Sequence, residues 1–161
     1  MNKLLISKRN IILFVLLIYF TEAFCISSGN VNVKDFGARG DGKTDDTYAI
    51  RKAVGKLSGG LLEFPGGTYR ITETIDIILP ENGTIGITGN KGNATIIMEG
   101  RGPAFRFTGT HNGTASPESV KEITWQKERM PIVEGIEIKG RNPEAEGLEF
   151  RHTIMPVLHS L

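Results

Sequence analysis

The chain is poor in the residues that build reactive or cross-linked sites. Its 161 residues include one Cys, three His and one Trp, and aromatics make up only 7%. A lone Cys25 excludes a disulfide framework and a thiolate metal cluster, so stability has to come from packing. His111, His152 and His159 lack metal-ligand spacing, and a solvated or packed role is expected for each. His152 and His159 would face opposite sides of a continuous strand. No sign of charge dominates, with 19 Lys and Arg against 18 Asp and Glu, which gives no support to nucleic-acid binding by bulk electrostatics. A long hydrophobic run is missing too: the unbroken apolar stretch from Ile11 to Phe20 is too short to span a bilayer.

Lys3, Lys8 and Arg9 precede that stretch, so residues 1–25 read as a secretory signal peptide. Cleavage after Cys25 places Ala23 at the −3 position; cleavage after Ala23 is the alternative, as is an uncleaved membrane anchor. A lipoprotein reading of Cys25 fits poorly with Phe24 and Glu22. Three of the basic residues and one acidic residue lie in this segment, leaving 16 against 17 in residues 26–161. The expected product is secreted or periplasmic, near neutral, and without stable membrane insertion.

What the remaining stretch does have is glycine, 20 in the whole chain, and short apolar bursts. Candidate strands are Leu61 to Phe64, Tyr69 to Ile71, Ile75 to Leu79, Thr84 to Thr88, Thr95 to Met98, Phe105 to Thr108, Ile132 to Lys139, Gly147 to Arg151 and Ile154 to Leu158. Turns such as Pro80-Glu81-Asn82-Gly83, Gly89-Asn90-Lys91-Gly92 and Gly140-Arg141-Asn142-Pro143 separate them. Short strands recurring without intervening helices fit a sandwich, a barrel or a solenoid. One echo favours the solenoid. Gly135-Ile136-Glu137-Ile138 and Gly147-Leu148-Glu149-Phe150 share one pattern, with Ile136, Ile138, Leu148 and Phe150 expected inward, Glu137 and Glu149 outward, and the units stacked coil on coil.

The densest local signal is Val33 to Val54, VKDFGARGDGKTDDTYAIRKAV. Val33 to Lys43 reads as a short strand and a tight loop, with Asp41-Gly42 as the turn dipeptide. A helix of about four turns is expected over residues 44–58, with Thr44 as N-cap, Asp45 and Asp46 in the first turn and Gly59-Gly60 as the stop. Ala49, Ile50, Ala53, Val54 and Leu57 form its apolar stripe. With the block Gly60-Leu61-Leu62-Glu63-Phe64-Pro65-Gly66-Gly67-Thr68-Tyr69-Arg70-Ile71, this stretch resembles the N-terminal signature of the pectate-lyase-like superfamily, in its rhamnogalacturonase and epimerase-like branch. The resemblance covers Val33 to Ile71. It implies an all-β, right-handed parallel β-helix, a single-chain solenoid whose mouth is covered by the helix, with residues 26–161 as its N-terminal part. It also implies ancestry among secreted polysaccharide lyases or glycoside hydrolases acting on pectin-like acidic glycans. It implies no catalytic residue, because the signature is a structural cap.

Catalytic residues are accordingly left unknown, with no cofactor and no metal expected. Asp35, Asp41, Asp45 and Asp46 could be imagined as a calcium site, but they lack Asp-x-Asp-x-Asp-Gly spacing and each has a turn or helix role. Glycoside hydrolysis needs two carboxylates roughly 5 to 10 Å apart, and no Asp-Asp pair follows the helix. Asp76 is the outward residue of an alternating strand. Gly109 to Met130 breaks the strand rhythm and reads as an extended loop or short helix between coils. Its Trp125 is either a platform for a sugar ring or an apolar anchor for the loop; the anchor is expected, since nothing else in the loop converges with it. Three Asn-x-Thr sequons, at Asn82, Asn93 and Asn112, fall in expected turns. These readings describe a glycan-acting β-helix or a piece of one lacking its catalytic coils, with a non-catalytic glycan-binding or tailspike-like adhesive β-helix as the alternative.

Overall fold

Alternating apolar residues flanked by glycine corners fold this chain into a stack of coils. The computed structural model describes residues 29–89, 92–114 and 116–161. The expected signal peptide, residues 1–25, and Asn90-Lys91 lie outside the described residues. The strands are β1 (Val31–Asn32), β2 (Asp41–Asp45), β3 (Gly60–Phe64), β4 (Gly67–Ile71), β5 (Ile75–Ile78), β6 (Ile85–Gly89), β7 (Ala94–Met98), β8 (Gly102–Thr108), β9 (Ile132–Glu134), β10 (Ile136–Gly140), β11 (Ala145–Arg151) and β12 (Val157–His159). They form three parallel sheets, of order β1-β3-β6-β9-β12, β10-β7-β4-β2 and β11-β8-β5. The three coils β3–β5, β6–β8 and β9–β11 each give one strand to every sheet, so the fold is an all-β parallel β-helix.

The interior follows from the period of two along each strand. Leu62, Ile87 and Val133 stack in register on the five-stranded sheet, and Ile77, Phe107 and Phe150 on the three-stranded one. The Phe107 and Phe150 rings lie 5.0 Å apart and nearly parallel, whereas Phe64 meets Tyr69 and Phe105 edge-on at 5.2 and 5.9 Å. Both geometries suit the ring quadrupole and add to the area buried.

The helix that closes the tube is shorter than its sequence pattern suggests. Helix α1 spans Thr47–Val54, not residues 44–58, and Thr44 is not its N-cap. The reason is sheet pairing: Asp41 and Asp45 are in register with Thr68 and Arg70, and the Asp46 N–H donates to the Arg70 carbonyl at 2.8 Å. The backbone stays extended through Asp45 and can turn only at Asp46, which occupies the cap position without making a side-chain cap bond. Asp45 serves instead, accepting from the Thr47 N–H at 3.0 Å. After Gly55 the chain tightens through Lys56 N–H to Ala53 and Leu57 N–H to Val54, so Leu57 stays buried with Ala49, Ile50, Ala53 and Val54 as expected.

Five further expectations change. Val33–Phe36 is a 3-10 turn capped by Asn32, and the strand before it is Val31–Asn32. The run Ile132 to Lys139 is two strands on different sheets, because Gly135 at φ +63° makes a one-residue corner. The two echo units therefore sit on neighbouring faces of one coil and do not stack on each other. Ile136 is buried, while Ile138, Leu148 and Phe150 are half-buried against the core. Strand β11 ends at Arg151, and His152 adopts a left-handed φ of +54°, so no continuous strand relates His152 to His159. Asn82 ends a one-turn helix, α2 (Leu79–Asn82), and its Nδ2 donates to the Val54 and Leu57 carbonyls at 3.3 and 3.4 Å, tying α2 to the end of α1. Among the described residues, no helix is long and apolar enough to cross a membrane.

Candidate functional site

The outward side chains of the three sheets form rows, and one row is charged throughout. On the three-stranded sheet Asp76, Arg106 and Glu149 are register partners, followed one pleat further by Ile78, Thr108 and Arg151. Arg106 donates from Nε to Glu149 at 2.6 Å and from Nη1 to Asp76 at 3.0 Å, and Arg151 donates from Nε to the other Glu149 oxygen. The Arg106 hydrogen bond, with that of Arg151, holds the Glu149 carboxyl below the usual carboxylate range and so ionised at neutral pH. Arg106 Nη2 and Arg151 Nη1 and Nη2 have no protein partner among the described residues. They are charged donors in a fixed fork, the geometry that suits a ligand carboxylate.

The segment between β8 and β9 borders this row. The Gly109 N–H donates to the Arg151 carbonyl at 2.9 Å, and the His111 N–H to that of His152 at 3.0 Å. The fully buried carboxylate of Glu128 pins the segment, accepting from the Thr110 N–H and hydroxyl, both at 2.8 Å, and from Thr124 at 3.3 Å. A cavity of about 350 Å³ opens between His111, Val120, Trp125, Ile154 and Met155. Trp125 is 38% exposed, with the Arg129 guanidinium carbon 5.8 Å from its ring centre. It is thus not isolated, because the structure gathers residues from the segment and from the turn after β11 around it. His111 Nδ1 is buried there without a hydrogen-bond partner among the described residues.

A second row runs along the five-stranded sheet, where Glu63, Thr88, Glu134 and His159 are successive register partners. Two depressions, about 480 and 330 Å³, meet at Thr88 and Gly89 beside it. Glu134 accepts from Thr88 at 3.2 Å, and Glu63 from Asn30 at 2.5 Å. Two strand spacings put the carboxylate-bearing positions about 9.5 Å apart. No sequence pattern marks these residues as a group. The one local signal is that Glu134 ends a short apolar burst just before the Gly135 corner.

The Asp-rich loop does not converge on a common centre. Asp41 accepts from the Thr44 and Lys43 N–H groups and the Thr44 hydroxyl, which brings its carboxyl down to about 2. Burial would raise Asp45, but hydrogen bonds from Thr47 and Thr72 outweigh it and leave its carboxyl lowered. Asp46, 1% exposed, accepts from the Arg39 and Gly40 N–H groups at 2.8 and 3.0 Å and so clamps the loop beneath the cap. Burial, with Asp46 adding to it, pushes the Tyr69 phenol up to about 12. Among the described residues, no three His, Cys, Asp or Glu side chains are placed to hold a metal ion.

A coiled stack of parallel strands with charged outward rows defines a β-helix with surface sites. Residues 30–122 match the model of the rhamnogalacturonase A/epimerase, pectate lyase-like family, and the chain belongs to that family. It is 42% identical over 84 residues to alginate lyase 7 of Azotobacter vinelandii, covering 48% of this chain and 10% of that enzyme. Mannuronan C5-epimerase AlgE6 of the same organism is 30% identical over 135 residues, covering 76% of this chain and 15% of the epimerase. A probable rhamnogalacturonase C of Aspergillus niger is 33% identical over 77 residues, covering 47% and 16%. This chain therefore spans a small part of these relatives' lengths. Among solved structures, ORF18 of Geobacillus virus E2 superposes over 95% of this chain and 30% of its own, with a TM-score of 0.52 at 25% identity.

Proposed function

We propose that this chain is the cap-bearing N-terminal part of a secreted protein acting on an acidic, pectin-like or alginate-like polysaccharide. The polymer lies across the three-stranded sheet, and the reacting carboxylates belong to coils other than those described here. The observation that carries this reading is the set of unpaired guanidinium donors on Arg106 and Arg151, beside which Glu149 is held ionised by its ion pairs. A uronate carboxylate can take those donors, whereas an ionised, doubly paired Glu149 is a poor general acid. The names of the relatives, an alginate lyase, a mannuronan epimerase and a rhamnogalacturonase, support the substrate class.

The paired state of this row also favours a second reading, in which the chain binds glycan without transforming it. One experiment addresses both. Oligogalacturonate and oligomannuronate are titrated into the purified chain by NMR, and the mixture is assayed for unsaturated uronides and reducing ends. The first reading expects shifts at Arg106 and Arg151, weakened at least tenfold in Arg151→Ala, and no product from these coils alone. Product release would overturn the placing of the reacting groups elsewhere. Failure of both oligomers to bind would overturn the acidic-glycan reading.

A further inference from the structure

The three-stranded sheet ends, on its cap side, at α1. Strand β5 is its last strand, and α1 packs against β5 in place of a further one. The outward surface there carries an unusual residue. Tyr48, on the second position of α1, is 79% exposed and has no hydrogen-bond or ring partner among the described residues. The exposed face of an amphipathic helix ordinarily carries small polar or charged side chains, so a bare phenol ring here lacks a packing explanation.

Beside that ring lies a depression of about 230 Å³ lined by Asp45, Thr47, Tyr48, Arg51, Thr72 and Glu73. Its floor is rigid. The Thr47 and Thr72 hydroxyls donate to the two Asp45 oxygens at 2.6 and 2.7 Å, and the Thr72 N–H donates to Thr47 Oγ1 at 2.9 Å. Its rim is charged: Arg51 donates to Glu73 at 2.6 Å and to the Thr74 carbonyl at 2.8 Å. A flat apolar face beside the fixed Asp45 carboxylate and the Arg51–Glu73 pair matches a pyranose ring, which presents C–H groups on one face and hydroxyls around its edge. Asp45 in the floor and Glu73 on the rim outnumber the one lining guanidinium, Arg51, so the lining is net negative, which disfavours an anionic sugar.

We infer that this depression is a saccharide subsite for one neutral pyranose unit. Its ring stacks on Tyr48, and its hydroxyls bond to Arg51, Glu73 and the outer edge of Asp45. This subsite rests on its own residues and not on the acidic-glycan reading of the Arg106 row. The distinguishing experiment is a pair of NMR titrations of the whole chain, one with methyl β-D-galactopyranoside or methyl α-L-rhamnopyranoside, the other with methyl α-D-galacturonate. The expected result is saturable shifts of the Tyr48 ring and Arg51 side chain with a neutral glycoside, weakened at least tenfold in Tyr48→Ala, kept within about twofold in Tyr48→Phe and unchanged in Arg151→Ala. Absence of cap shifts with both neutral glycosides overturns the inference, whatever the Arg106 row binds. Cap shifts with the galacturonate alone overturn it as well, as does a Tyr48→Ala variant that binds like the parent. A Tyr48→Ala chain with an unchanged unfolding midpoint keeps loss of binding from being loss of fold.

Discussion

The loop beneath the cap and the row on the three-stranded sheet are both built from charged residues, yet they differ in what the charges face. Under the cap, the Asp46 carboxylate is buried and meets only backbone N–H groups. In the row, Asp76, Arg106, Glu149 and Arg151 meet one another at the surface. A buried acceptor with fixed donors stabilises a conformation, and its removal strands those donors. Ion pairs that reach solvent, as Arg106 and Glu149 do at 26% and 23% side-chain exposure, contribute modestly to stability and leave spare valences for a ligand. The cap is thus a place where charge specifies the fold, and the row a place where charge is available for recognition.

The largest effect that could break this contrast belongs to Asp46. Asp46→Ala should lower unfolding stability by about 3 kcal/mol in urea titrations, since the Arg39 and Gly40 N–H groups lose a charged acceptor in a buried loop. A loss as small as that of an exposed pair would erase the distinction. Next comes Glu128, which should cost about 2 kcal/mol as Glu128→Ala, because Thr110 and Thr124 lose their acceptor. Limited proteolysis should then cut first between residues 109 and 131. Asn82→Ala should cost about 1 kcal/mol through its two weak bonds to the end of α1. In a eukaryotic secretion host, mass spectrometry should find glycan on the exposed Asn93 and Asn112 and not on Asn82, whose Nδ2 is engaged.

The smallest stability effect is expected in the row. Arg106→Ala should change stability by less than about 1 kcal/mol while weakening acidic-oligomer binding at least tenfold. The sign of its pH dependence is fixed by Glu149. Its carboxyl is lower in the folded chain than in the unfolded one, so the stabilisation from the row is present above the ordinary glutamate range and fades as pH falls through the folded value. A carboxyl-detected NMR titration should place Glu149 below an unperturbed glutamate in the parent and move it upward in Arg106→Ala.

Much of the fold was legible because it is written in short-range terms. The apolar bursts, the glycine corners and the stripe of α1 are local, and each became a strand, a corner or a buried face. The limits of α1 were less so. Thr44 and the two Asp residues make an acceptable helix start on their own, but pairing of Asp41 to Asp45 with β4 overrides that preference, and a residue 25 or more positions away decides it. The candidate site was hardly legible at all. Asp76 and Glu149 could each be assigned to the outside of a strand, but only the register places Arg106 between them. Glu63, Thr88, Glu134 and His159 come together by the same route. Trp125 reads as isolated in the sequence because His111 and Val120 reach it only when the segment folds back, and Ile154 and Met155 follow a strand one coil further on.

The corners of the coil have a consequence for how this protein can be altered. Gly135 joins β9 to β10 with a single left-handed residue, and any lengthening there would shift every side chain of β10 relative to β7. The corner from β8 to β9 is different. It carries the whole segment from Gly109 to Pro131, yet β9 returns in register with β6, Ile132 opposite Gly86. The scaffold thus has one docking bay for interchangeable cassettes. A foreign loop grafted there would inherit a mount next to the Arg151 edge as long as it kept Thr110, Thr124 and Glu128, whose hydrogen bonds pin the segment, while the stretch from 112 to 122 could change freely.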